Sequence, residues 1–154
     1  KDISTEEGTD FTIETLNYMR ERLVKYQEET GNLYNLEATP AESTSYRLAR
    51  LDKKMHPEII TSGKTEPFLT SSTQLPVDYT DDAIRALEHQ NDIQPLYTGG
   101  TIFHTFLGEK MSNGESAKNL IKKIAHNTKI PYFSITPTFS VCPELNIKFL
   151  HQFI

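Results

Sequence analysis

The stretch Asn35-Leu36-Glu37-Ala38-Thr39-Pro40-Ala41-Glu42-Ser43-Thr44-Ser45-Tyr46-Arg47 decides how the chain is read. An extended apolar run over 33–38 enters it, and a helical pattern over 46–55 leaves it. Between them Thr39 stands before Pro40, with Glu42, Ser43 and Thr44 close behind. Proline suits the first helical position because it has no N–H to leave unbonded, so the spacing predicts a helix opening at Thr39-Pro40. The other N–H groups at such a start have no acceptor within the helix and favour an anion. Thr39, Ala41, Glu42, Ser43 and Thr44 are therefore candidate phosphate-binding residues. The backbone amides would do most of the holding, and the hydroxyls would assist. The same residues also read as a capped helix after a strand, with no ligand.

Composition narrows the field. A chain of 154 residues makes one domain or a piece of a larger one. A hydrophobic share of 36% and a mean hydropathy of -0.51 are low for a self-sufficient core of this size. They fit a surface-rich small domain, or a unit whose apolar faces are covered by something else. The net charge of -5 argues against a general nucleic-acid surface, which needs a basic patch. No apolar run is long enough to span a bilayer, and the first ten residues are polar and acidic rather than leader-like. Cys142 is the single cysteine, so no internal disulfide can form, and a cytoplasmic location is expected.

Along the chain, residues 1–9 read as a frayed entry. Ile13, Leu16, Met19, Leu23 and Tyr26 recur at helical spacing, predicting an amphipathic helix over about 11–29. Gly31 suits a left-handed cap behind it. Residues 33–38 read as a strand. The next helix carries Leu48, Leu51 and Met55 on one face and stops before Pro57. Residues 68–77 alternate enough to hold short strands, although Pro76 disfavours an interior ladder position. Thr80-Asp81-Asp82 reads as a hydroxyl cap followed by two carboxylates, opening a helix to about Asn91. Gly99-Gly100 leads into a strand near Phe103. Ser112 and Glu115 have capping-box spacing before the stripe Ala117, Leu120, Ile121, Ile124 and Ala125. Residues 130–135 and 139–142 read as strands. Strands alternating with helices predict an α/β architecture with some parallel pairing.

Each further candidate has a bland counterpart. Gly99-Gly100 could press on a ligand or make room for backbone, and packing is the reading favoured here. With no GxGxxG and no P-loop lysine, dinucleotide and NTPase readings fail. His104 could be a general base or a satisfied core histidine. Glu37 and Glu42 flank the turn, but Glu42 is explained by the charge preference of a first helical turn. Tyr46 and Arg47 could reach a substrate or pack. His56, His89, His126 and His151 lack metal-ligand spacing. Cys142-Pro143 is followed by no second cysteine, so no zinc ribbon closes within the chain.

Taken together, these pieces resemble the anaerobic ribonucleoside-triphosphate reductases, the oxygen-sensitive glycyl-radical class. The likeness rests on the run from Gln27 to Glu42 with its Ala38-Thr39-Pro40-Ala41-Glu42 core, then Tyr46-Arg47 and Leu75-Pro76-Val77. It continues through Leu96-Tyr97-Thr98-Gly99-Gly100-Thr101, Phe106-Leu107-Gly108-Glu109, and the run from Ile130 to Pro143. The resemblance implies half of a ten-stranded α/β barrel, occupying 1–143, with 144–154 a divergent or frame-shifted tail. It implies radical reduction of ribonucleoside triphosphates to deoxyribonucleoside triphosphates, with electrons from formate or a thiol. The turn from Ala38 to Thr44 would then lie at the barrel mouth and meet the substrate phosphates.

The resemblance also implies a glycyl radical, a structural zinc, ATP or dNTP effectors and an iron–sulfur activating partner. A homo-oligomer is a further expectation; nucleic acid and membrane are not expected partners. Cys142 matches the first zinc-ribbon ligand. The residues that would follow it do not match, because 144–154 holds no further Cys and no Gly. Thr70-Ser71-Ser72 stands where relatives often have Thr-Asn-Ser. The resemblance implies a radical-bearing glycine and a loop cysteine that carries a thiyl radical; with neither matched here, no catalytic residue is assigned, and the expectation is a fragment or truncated relative that is inactive alone. The alternative is a non-catalytic nucleotide-binding or interaction module of the same descent. A third possibility is a bare folding unit, whose open sheet edges would drive self-association.

Overall fold

The computed structural model describes residues 2–77, 79–80, 82–107 and 111–136, with the backbone of 139–142 and 147–150. Among these, four α-helices, one 3-10 turn and four short strands follow one another. Helix α1 runs Glu6–Thr30, five residues earlier than its apolar spacing predicts. The correction comes from capping. Thr5 accepts from the Gly8 amide, and Glu6 and Glu7 sit in the first turn where the helix dipole favours carboxylates. Gly31 ends the helix in the left-handed region at φ 73, its N–H donating to the Gln27 carbonyl as expected.

Helix α2 is Glu42–Met55 and ends before Pro57 as read from the sequence. Helix α3, Ala83–Gln90, is capped by Asp82, which accepts from the Ile84 and Arg85 amides. Thr80 is therefore not the cap; its hydroxyl accepts from the Asp82 amide instead. A carboxylate reaching two amides outcompetes a hydroxyl for the cap position. The 3-10 turn Gln94–Leu96 follows. Helix α4, Gly114–Asn127, is capped by Asn113, which accepts from the Ser116 amide, so the Ser112–Glu115 box does not form. The Ser112 hydroxyl is engaged with that of Ser116.

Strands β1, Phe103–Phe106, and β2, Phe133–Thr136, pair in parallel with Phe103 opposite Phe133. α4 is the crossover that parallel pairing requires. Strands β3, Phe139–Cys142, and β4, Ile147–Leu150, form an antiparallel pair, so the tail after 144 supplies a strand. Two expected strands shrink to single bridges. Residues 33–38 contribute only Glu37 opposite Gly100, and 68–77 only Phe68 opposite Ser62. The side chain of Leu33 is 92% exposed, which removes the reason for that run to extend as a buried strand.

Two apolar clusters hold these elements. Leu16 of α1 packs with Leu36, Ala38, Ile93 and Tyr97, fixing the run before α2 against α1 and the 3-10 turn. Leu87, Phe103, Ile124 and Ile130 join α3, β1 and α4. Each fully buried aliphatic side chain in such a cluster contributes about 1.5–3 kcal/mol. Among the described residues, no helix is long and apolar enough to cross a membrane.

Candidate functional site

The run leading into α2 is set by a neighbour more than sixty residues away in the chain. The Ala38 N–H donates to the Gly100 carbonyl, and the Thr98 and Gly99 amides donate to the Leu36 carbonyl. The Thr98 hydroxyl accepts from the Leu36 amide at 3.0 Å. Gly99 is required by space: a β-carbon there would stand 2.6 Å from the Asn35 Cβ. Gly100 is required by its backbone, at φ 139. The Gly-Gly pair thus makes the close backbone approach that the sequence reading preferred.

This anchoring moves the helix start. Proline does not take the first helical position; Ala41 is the N-cap, at φ -146 and ψ 47, and Glu42 is the first helical residue. Residues up to 38 are committed to the Gly100 neighbour, and the residue before a proline is pushed away from helical angles, so the turn closes only after Pro40. Thr39 is consequently three positions ahead of the helix, and its hydroxyl donates to the Glu37 carboxylate at 3.2 Å. The structure therefore brings Ala41, Glu42, Ser43 and Thr44 together at one helix start and leaves Thr39 on the approach.

No side chain caps that start. The Ala41 amide donates to Ser71 Oγ at 3.5 Å, the long end of a hydrogen bond. Among the described residues, nothing accepts from the Ser43 or Thr44 amides. Those N–H groups carry the positive end of the α2 dipole. One turn further on, a cavity of about 320 Å³ opens between Ser45 and Tyr46 of α2, Phe68, Leu75, Ala86 of α3 and His104 of β1. Partial desolvation, then a hydrogen bond to the Glu66 carboxylate, raises the Tyr46 phenol above its ordinary range, with Arg50 opposing. The Arg50 guanidinium stacks 5.1 Å from the Tyr46 ring and pairs with Glu66 at 3.3 Å. Tyr46 is thus held by α2 and the 62–68 loop together.

His104 sits half-buried on β1 at the edge of the cavity, with Nδ1 2.7 Å from the Ser134 hydroxyl of β2. Its neighbour Thr105 is buried, and its hydroxyl has no hydrogen-bond partner among the described residues. Cys142 ends β3. No group of three His, Cys, Asp or Glu among the described residues could hold a metal ion. A four-ligand zinc ribbon does not fit what this chain supplies around Cys142, since 142 is its single cysteine.

The sequence reading overlooked a buried polar group. Gln90 and Gln94 are both 0% exposed and bonded to each other. Their helical spacing of four was visible, but nothing in it distinguished them from surface glutamines.

The turn into α2 thus has bare amides, a Gly-Gly contact behind it and a parallel strand pair beside it. The family model for anaerobic ribonucleoside-triphosphate reductase matches residues 1–152, and the chain belongs to that family. The anaerobic ribonucleoside-triphosphate reductase of Haemophilus influenzae is 26% identical over 133 residues, covering 86% of this chain and 18% of that protein. Two crystal structures of the anaerobic ribonucleotide reductase from Thermotoga maritima, one with MES and one with glycerol in the active site, superpose with a TM-score of 0.68. Each is 30% identical and covers 95% of this chain and 23% of the reductase chain. The chain therefore spans about a fifth of the length of the relatives it matches.

Proposed function

We propose that this chain is the phosphate-holding part of an anaerobic ribonucleoside-triphosphate reductase, folded as one half of its α/β barrel. The start of α2 receives the triphosphate: the Ser43 and Thr44 amides donate to it, the Glu42 amide and the Ser43 and Thr44 hydroxyls complete the contact, and Ala41, its amide held by Ser71, and Thr39, its hydroxyl held by Glu37, line the approach. The observation that carries this reading is the pair of Ser43 and Thr44 amides with no acceptor among the described residues. Membership of the family supplies the class of anion.

Radical reduction, the iron–sulfur activating partner and control by ATP or dNTP belong to the whole reductase in this proposal. On its own the chain binds the nucleotide and does not reduce it. Zinc is not part of the proposal for this chain, because Cys142 alone cannot hold it.

Titration with ATP and adenosine tests the reading. ATP should bind and adenosine should bind at least tenfold more weakly, because only the phosphates meet the amides. Ala41→Asp, which sets a carboxylate at the helix start, should weaken ATP by about tenfold through competition and repulsion. Equal binding of ATP and adenosine, or an Ala41→Asp variant with unchanged ATP affinity, would remove the phosphate site. Turnover of ATP to dATP by the purified chain would overturn its assignment as inactive alone.

A further inference from the structure

The loop that leans on the start of α2 is held from behind by a chain of buried amides. Thr101 Oγ1 donates to Gln94 Oε1 at 2.5 Å, and Gln94 Nε2 donates to Gln90 Oε1 at 2.5 Å. Gln90 Nε2 then donates to the Thr73 carbonyl at 3.0 Å and to His89 Nδ1 at 3.1 Å. That second bond leaves His89 Nε2 protonated, and it donates to the Ile3 carbonyl at 2.8 Å. Beside this relay, the Thr73 and Tyr97 hydroxyls lie 2.7 Å apart, and Gln74 Nε2 donates to the Ile102 carbonyl at 3.1 Å. Residues 73 and 74 are therefore fastened to α3, to the 3-10 turn and to the segment entering β1.

The opposite side of the same loop is held weakly. Ser71 Oγ accepts from the Ala41 amide at 3.5 Å, and the Leu69 amide donates to the Ser45 carbonyl at 3.4 Å. Between the strong side and the weak side stands Ser72 at φ 49, a left-handed angle uncommon for a residue other than glycine. An unusual backbone angle persists only where its surroundings over-determine it, and here the fastening lies on the 73–74 side. A hydrogen-bonded amide relay in a dry interior is stiff.

We infer that Gln90 and Gln94 are positioning residues that aim the Ser71 hydroxyl at the Ala41 amide and so set the shape of the nucleotide-phosphate site. This inference rests on the phosphate reading above for its functional consequence, but not for its structural one.

The test separates the two. In the ligand-free chain, Gln94→Met keeps the side chain's size and removes both polar ends. It should raise hydrogen exchange of the Gln74 amide, which donates to the Ser71 carbonyl, by about tenfold, and should move the Ala41 amide resonance. The Leu23 amide inside α1 should be unchanged. The same variant should weaken ATP about fivefold. Thr101→Val, which removes only the terminal donor, is the milder second variant, and it should move the same signals less. Should Gln94→Met fail to fold, Thr101→Val decides. Unchanged Gln74 exchange, or exchange rising equally at Leu23, overturns the inference, since that pattern means no effect or general loosening. If the wild-type chain binds no ATP, the phosphate reading falls, and the Gln74 and Ala41 signals still judge the positioning role.

Discussion

Gly99 lies against Asn35 so closely that a β-carbon on Gly99 would stand 2.6 Å from the Asn35 Cβ. That separation is far inside van der Waals contact, and the Gly99 amide is at the same time committed to the Leu36 carbonyl at 2.8 Å. Gly99→Ala should therefore push the 35–38 run off its neighbour and destabilise the chain by about 1–3 kcal/mol, the usual cost of overpacking. Gly100→Ala should also destabilise, by about 1–3 kcal/mol, but through strain at φ 139 rather than collision. Urea melts of both variants check this; a Gly99→Ala chain as stable as wild type would mean that the contact is not close-packed in solution.

Asp82 takes the Ile84 and Arg85 amides of α3 at 2.9 and 3.3 Å. Asp82→Ala should cost about 1 kcal/mol, whereas Asp82→Asn, which still accepts, should cost much less. Thr80→Val should have the smaller effect, since among the described residues the Thr80 hydroxyl accepts only from the Asp82 amide. Thermal melts of the three variants give the ranking, and a Thr80 effect larger than that of Asp82→Ala would return the cap to Thr80.

Thr105 buries a hydroxyl that no described residue accepts from or donates to. Valine has nearly the same shape and no polar atom. Thr105→Val should thus stabilise the chain, by about 1 kcal/mol, by relieving the desolvation cost of an unmade hydrogen bond. A lower melting midpoint for the variant would show that the hydroxyl has a partner in solution.

Burial raises the Tyr97 phenol above its ordinary range, while the Thr73 contact lowers it in part. A group whose folded pKa is raised holds its proton more tightly when folded. Its contribution is complete below the unfolded value of about 10 and is lost as pH climbs through the higher folded value. Stability should therefore fall above about pH 10 in a way that Tyr97→Phe abolishes. At neutral pH, Tyr97→Phe should cost about 0.5–1.5 kcal/mol for the Thr73 hydrogen bond. Denaturant midpoints at pH 7, 9 and 11 for both proteins check the sign, and parallel curves for the two would refute it.

The sequence made some of this legible and hid the rest for identifiable reasons. Periodicity marked α1, α2 and α4, although in α2 the Leu48, Leu51 and Met55 stripe is exposed and Ala49 is the buried residue, and Gly31 was readable because its left-handed cap has a backbone cause. The Gly99-Gly100 packing was readable for the same reason. Helix starts were not: Thr5, Asp82 and Asn113 each compete with nearby hydroxyls and carboxylates, and the winner depends on which side chain reaches the free amides. The shift from Pro40 to Glu42 was hidden because its cause, the Gly100 carbonyl, lies far along the chain. The turn was visible, and the structure sets Ala41, Glu42, Ser43 and Thr44 at the helix start with Thr39 on the approach, but the Gln90–Gln94 pair behind it looked like surface polarity until burial was known.

The dependence of residues 36–38 on Thr98, Gly99 and Gly100 also fixes an order of events during synthesis. A ribosome-bound chain that has emerged only as far as the end of α3 contains every residue of the turn into α2, yet lacks residues 98–100, which hold that turn in place. Until residue 100 clears the exit tunnel, the first two helices remain joined by an unguided hinge. The turn is assembled late, although it is encoded early.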